Sequence, residues 1–255
     1  MKKTLFSLVL FLVFFISKGQ SDNDFDKTLM SPDANYEINV SQKWDDSGKS
    51  IITYSVNFKG KQVILNSQFN IQLDNHLHEW ALAIKDTPKG DWMDELVLKD
   101  VKVNSVANTW KPIFGERNTI ENNYNELVLS FEQKSSSNYK MDIQIRAYNQ
   151  GVAFRYYFHT NPSGIYYHIT EENTEFTFPE NTKAWFEPWA QGTYELLPLN
   201  NWPTESERPL TLELENGLYA CIAEAGLVDF VRTKFELSNV KANTINLVEN
   251  NLSIL

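Results

Sequence analysis

The densest run of chemically useful side chains is residues 184–195, Ala-Trp-Phe-Glu-Pro-Trp-Ala-Gln-Gly-Thr-Tyr-Glu. It holds two indoles, Trp185 and Trp189, and two carboxylates, Glu187 and Glu195. Pyranose rings present C–H faces that stack on indoles, while carboxylates and amides hydrogen-bond the ring hydroxyls, so this mixture suits a saccharide site. Carboxylate oxygens are also what a hard cation takes, and Ca²⁺ gathers about six to eight oxygen ligands. Read alone, Glu195 is either one such ligand or a solvated acid. Glycoside hydrolysis needs two carboxylates held a fixed distance apart. The chain has 33 acidic residues and no spacing that selects a pair, so no residue is assigned as catalytic.

Seven tryptophans and a 13% aromatic share are high, and Trp80, Trp92, Trp110, Trp185, Trp189 and Trp202 neighbour prolines, glycines or charges. Most are expected to plug the ends of a large β fold, with one or two left to meet sugar. His76 and His78 are two apart and would share a face on a strand, but no third ligand follows at a zinc spacing. They are expected to be loop histidines without a metal. Cys221 is the only cysteine, which excludes an intrachain disulfide. Within the apolar run 218–223 it reads as a small buried hydrophobe rather than a nucleophile. Ser-His-Asp chemistry, phosphate loops and dinucleotide fingerprints have no counterpart in the sequence.

The elements that must position these residues are strands. Tyr36, Ile38 and Val40 alternate with Glu37 and Asn39, and Ile52, Tyr54, Val56 and Phe58 put four apolar side chains on one face, the period of a half-buried strand. Lys59-Gly60 then turns the chain into 63–73, a hairpin, and Asn149-Gln150-Gly151 turns between two further runs. Similar runs recur at 96–103, 127–131, 141–148, 152–158, 176–178, 210–214 and 218–223. The Asn-rich stretches 122–125 and 246–251 read as loops, and only 227–235 offers weak helical periodicity. About a dozen short strands with polar turns give an all-β fold, a large two-sheet antiparallel β-sandwich.

Residues 1–19 are set apart. Lys2 and Lys3 precede an apolar run over 5–16, and Ser17-Lys18-Gly19 is a small-x-small cleavage pattern, as in a secretory signal peptide. The run is shorter than the roughly 20 residues a bilayer demands, so no membrane insertion is expected. Removing these residues takes three lysines and no acids, moving formal charge from −10 to −13. An acidic exported chain without a basic stripe is a poor nucleic-acid binder, whose affinity comes from Lys and Arg neutralising phosphates.

In order along the chain, several motifs resemble the N-terminal domain of glycoside hydrolase family 97. They are Ser31-Pro-Asp33, Trp110-Lys-Pro-Ile-Phe-Gly-Glu116, Asn123-Tyr-Asn-Glu126, Tyr148-Asn-Gln-Gly-Val-Ala-Phe-Arg-Tyr156, Glu172-Asn-Thr-Glu-Phe176, Ala184-Trp185, Tyr194-Glu195 and Glu224-Ala-Gly-Leu-Val-Asp229. The resemblance covers residues 30 to about 235. It implies a galactose-mutarotase-like super-sandwich packed against a (β/α)₈ barrel, in exported bacterial enzymes that cleave α-glucosidic or α-galactosidic bonds with Ca²⁺ at the active site. The catalytic acid and its partner would lie on the barrel, and the sandwich would lend the calcium one glutamate. Glu195 is the matching position, with Glu187 the neighbouring alternative.

The resulting expectation is a signal peptide at 1–19, a disordered segment at 20–29, the sandwich at 30–237, and at 238–255 the start of a linker to a barrel that this sequence does not contain. A barrel needs some 200 further residues. The expected role is therefore the non-catalytic, carbohydrate-associated part of a periplasmic or extracellular α-glycosidase, inactive alone, with Trp185 and Trp189 on the sugar and calcium bound only when a barrel completes the site. Two alternatives stand beside it: a stand-alone carbohydrate-binding protein using Trp189, and a partner subunit for a separately encoded barrel chain.

Overall fold

The structure, a computed structural model, describes residues 24–85, 87, 91–136, 139–228 and 230–248 and the backbone of 249 and 253–254. The expected signal segment lies outside the described residues. The first four strands, β1 (Phe25–Met30), β2 (Tyr36–Trp44), β3 (Ser50–Phe58) and β4 (Lys61–Gln68), pair antiparallel in chain order. The β3–β4 hairpin closes on Lys59 and Gly60, both with positive φ (50° and 74°), the geometry a two-residue loop needs to match strand twist. After β5 (Ile71–Leu73) and the short helix α1 (His76–Ala81), a second meander follows. It comprises β6 (Leu96–Trp110), β7 (Ile120–Gln133), β8 (Lys140–Tyr148) and β9 (Gly151–Phe158).

The remaining strands are shorter: β10 (His168–Glu172), β11 (Glu175–Thr177), β12 (Lys183–Phe186), β13 (Glu195–Pro198), β14 (Leu210–Glu213), β15 (Tyr219–Ile222), β16 (Thr233–Leu237), β17 (Thr244–Glu249) and β18 (Ser253–Ile254). They pair antiparallel as β18-β10-β5, β11-β17-β16 and β13-β12-β14-β15. The fold is all-β and sandwich-like, as expected, and among the described residues its ladders fall into five antiparallel sheets. Register shifts, such as those in the β3–β4 and β6–β7 pairings, interrupt the ladders.

Alternation explains the core. Ile38 and Val40 of β2 and Ile52, Tyr54 and Val56 of β3 face inward, opposite Leu127, Leu129 and Phe131 of β7 and Met141, Ile143 and Ile145 of β8. Aromatic rings join the two layers: Phe25 lies 6.2 Å from Phe131, Tyr54 5.8 Å from Phe154, and Phe69 5.1 Å from Phe154. Each such side chain contributes about 1.5–3 kcal/mol on burial, and truncating Phe131 to Ala would cost about 3–5 kcal/mol through the cavity it leaves.

Several expectations are corrected. Residues 25–29 are strand rather than disordered, because Phe25 and Leu29 are buried while β1 pairs with β2. The tail assigned to a linker contains β17, whose Ile245 and Leu247 complete the core between β11 and β16. Residues 227–235 are not helical; Thr233 opens β16. The Asn-rich stretch 122–125 lies within β7, and 246–249 within β17, where the ladder rather than composition decides. His76 and His78 sit on α1, where a separation of two places them on different sides instead of one face.

Candidate functional site

Strand β12 delivers the predicted aromatic and acidic residues to the end of the β13-β12-β14-β15 sheet. Its side chains alternate strictly: Ala184 and Phe186 are buried, Lys183 and Trp185 exposed. Beyond Phe186 the chain leaves the sheet in a tight turn, with the Gly192 amide donating to the Trp189 carbonyl at 2.7 Å. Gln191 has φ 69°, and a Cβ at position 192 would stand 2.8 Å from the Trp189 carbonyl oxygen, so the close approach requires glycine. The turn lifts Trp189 into solvent, 63% exposed, and returns the chain through Tyr194 to Glu195, the first residue of β13.

The two predicted carboxylates have different surroundings. Glu187 is buried; its amide donates to the Ser206 hydroxyl and its carbonyl accepts from the Glu207 amide. Its carboxylate, as hydrogen-bond partner and nearby charge, holds the Tyr194 phenol above the usual tyrosine range. Glu195 is exposed and stands opposite Phe186 in the β12–β13 ladder, whereas Trp185 stands opposite Leu196. Directly opposed residues share a face and successive residues alternate, so Glu195 and Trp185 leave the ladder on opposite sides. Glu195 thus opens the edge strand β13, with Trp189 and Tyr194 in the loop that leads to it, and Trp185 turns to the sheet's outer face.

On that outer face the Trp185 indole donates from Nε1 to Glu213 Oε1 of β14 at 3.0 Å. Lys183 is opposite Glu213, and Glu213 is opposite Tyr219 of β15, which is 70% exposed. Sequence reading missed Glu213 and Tyr219, although the signal was present: in the run 218–223, Leu218, Ala220 and Ile222 turn inward and their alternates outward. The same alternation corrects the reading of Cys221, which is exposed beside this row and opposite Thr211.

The other candidates separate cleanly. Trp92 is core and Trp202 packs on Phe186 with centroids 5.5 Å apart, while Trp80 and Trp110 are exposed, so more indoles face solvent than the one or two expected. The His76 imidazole meets the Glu79 carboxylate at 3.3 Å, and its backbone amide donates to Asp74 at 3.1 Å. A cleft of about 570 Å³ opens elsewhere, where the β6–β7 ribbon runs past the end of β8; Arg117, Glu121, Tyr148 and Gln150 line it, and no predicted site residue does.

The donor set does not fit a self-sufficient calcium site. Among the described residues, no three His, Cys, Asp or Glu side chains are grouped to hold a metal. Glu187 is engaged by Tyr194, and Glu195 supplies one carboxylate where about six to eight oxygens are needed. No helix among the described residues is long and apolar enough to cross a membrane.

Residues 29–251 match the family described as Glycosyl-hydrolase 97 N-terminal, a span that runs past 237 and takes in β17. The chain is 22% identical over 247 residues to a retaining alpha-galactosidase of Bacteroides thetaiotaomicron, covering 90% of this chain and 32% of that protein. A glycoside hydrolase family 97 enzyme from Pseudoalteromonas sp. strain K8, solved in complex with acarbose, superimposes with a TM-score of 0.71 at 24% identity, covering 88% of this chain and 32% of that one. A beta-arabinopyranosidase crystal structure gives a TM-score of 0.74 at 17% identity, covering 91% and 38%. The chain therefore spans about a third of the length of these relatives.

Proposed function

Since this chain belongs to the glycosyl-hydrolase 97 N-terminal family, we propose that it is the non-catalytic, carbohydrate-associated sandwich of an α-glycosidase. In this reading it supports and completes an active site whose acid and base stand on a separate (β/α)₈ barrel. One observation carries the proposal: the match takes nearly all of this chain but only about a third of its relatives. The edge bearing Glu195, Tyr194 and Trp189 is what such a domain would offer a barrel. Glu195 would add one oxygen donor to a calcium whose other ligands come from the barrel, and Trp189 would close on sugar beside it. The substrate class is an α-glucoside or α-galactoside oligosaccharide, in keeping with the alpha-galactosidase relative and the acarbose complex. Residues 1–19 would direct export to the periplasm or beyond.

The test is hydrolysis of nitrophenyl α-glucoside and α-galactoside by the purified chain, with and without calcium. No turnover is expected. Turnover that chelation abolishes would overturn the proposal, because the chain would then carry a complete site of its own.

A further inference from the structure

The outer face of the β13-β12-β14-β15 sheet carries an arrangement that packing does not explain. Trp185 and Tyr219 are both exposed, yet neither is isolated: Glu213 stands between them, bonded to the indole at 3.0 Å and directly opposite the tyrosine. The hydrogen bond runs diagonally from β12 to β14 and ties the indole to the neighbouring strand, while Trp185 keeps 37% of its surface exposed. Strands about 4.8 Å apart put β12 and β15 about 10 Å from each other, which suits alternate rather than adjacent rings of one chain, such as the first and third of a trisaccharide. Lys183, two residues before Trp185 on β12 and opposite Glu213, ends the row Lys183–Glu213–Tyr219 and adds a second hydrogen-bonding group beside the indole.

We infer that this face is a saccharide platform on which Trp185 and Tyr219 stack the rings of a neutral oligosaccharide while Glu213 and Lys183 bind its hydroxyls. The inference rests on the carbohydrate reading above and deepens it, placing a second contact surface on the side of the ladder away from Glu195. The pattern of charge selects the ligand. A protein partner would bury Lys183 and Glu213 at the centre of its contact, where interfaces are depleted in charged residues and unpaired charges cost heavily. Phosphate ligands would meet Glu213 and the chain's net charge of −10. A sugar offers both apolar C–H faces and hydroxyls that pair with either charge.

The test is calorimetric titration of the whole chain with maltotriose and with raffinose, using variants matched by thermal melting. Trp185→Ala and Tyr219→Ala are each expected to weaken binding about tenfold, the scale of one lost aromatic stack. Trp185→Phe keeps a ring and should lose less, and Trp189→Ala, in the loop between β12 and β13 and outside this row of strand residues, should change affinity little. If Trp189→Ala removes binding while Trp185→Ala and Tyr219→Ala do not, the platform is overturned and the carbohydrate reading survives on the Glu195 edge. If the unaltered chain gives no binding to either sugar, the platform is overturned on its own account, and the turnover assay still decides the hydrolase reading.

Discussion

Glu195 and Trp185 diverge across a single ladder: Glu195 is paired with buried Phe186, and Trp185, one residue earlier on β12, with Leu196. A strand sends neighbouring residues to opposite sides, so a sugar on the Trp185 face would not meet an ion held at Glu195.

Calcium alone should therefore do little. Addition of Ca²⁺ to the purified chain is expected to leave the melting temperature unchanged, because one exposed carboxylate cannot hold the ion. Glu195→Gln should alter stability by no more than about 0.5 kcal/mol, as befits a surface substitution. A calcium-dependent rise in melting temperature that Glu195→Gln removes would show a full site within the chain.

The Trp189 turn should be sensitive to a single methyl group. In Gly192→Ala the new Cβ would meet the Trp189 carbonyl at 2.8 Å, closer than backbone tolerates, so the turn must open. Overpacking of this kind costs about 1–3 kcal/mol. Differential scanning calorimetry should show a lower melting temperature, with titration at the Trp185 face unaffected; an unchanged melt would mean that the turn relaxes freely.

Much of this was legible before the structure. The alternation over 52–58 identified the inward Ile52, Tyr54 and Val56, since strand period leaves one apolar face no other destination. What alternation could not show was which of two tryptophans of like context is buried. Trp92 fills a space bounded by Tyr139 just before β8, Phe158 at the end of β9 and Tyr167 in the loop beyond, whereas Trp189 stands exposed on its turn. Cys221 was misjudged by composition, since an apolar run with one outward register still exposes every second residue. Pairing partners were equally hidden: β17 completes a sheet with β11, far away in sequence, and a polar tail gives no local sign of it.

High pH should unfold the chain cooperatively. Tyr54, Tyr139, Tyr156 and Tyr167 have phenols pushed above the ordinary range, chiefly by burial, and Tyr139 also donates to Glu79 at 2.6 Å. Unfolded phenols ionise near pH ~10, so above that pH the unfolded state has lost protons the folded state keeps. Stability is then fully present below about pH 10 and falls as pH rises beyond it. Phenolate absorbance should appear in two stages, exposed tyrosines first and these four, three buried and Tyr156 half-buried, only with loss of the far-ultraviolet β signal. Tyr139→Phe strips the buried Glu79 of its phenol donor and should cost about 2 kcal/mol at neutral pH. A gradual single-stage titration without unfolding would contradict the buried placement.

The thiol of Cys221 offers a direct reading of the outer sheet face. It follows Tyr219 by two residues and so projects beside it, exposed, opposite Thr211. A maleimide reagent should label it in the native chain at a rate comparable to that in denaturant, since nothing in the sheet shields it and thiol reactivity follows access. Because it is the only thiol, the rate is unambiguous. A sugar lying across Trp185 and Tyr219 would pass over the adjacent strand, so maltotriose should slow labelling, and Tyr219→Ala should restore the unprotected rate in its presence. Labelling that occurs only after unfolding would mean that the face is covered in solution, and equal rates with and without sugar would place any bound oligosaccharide away from β15.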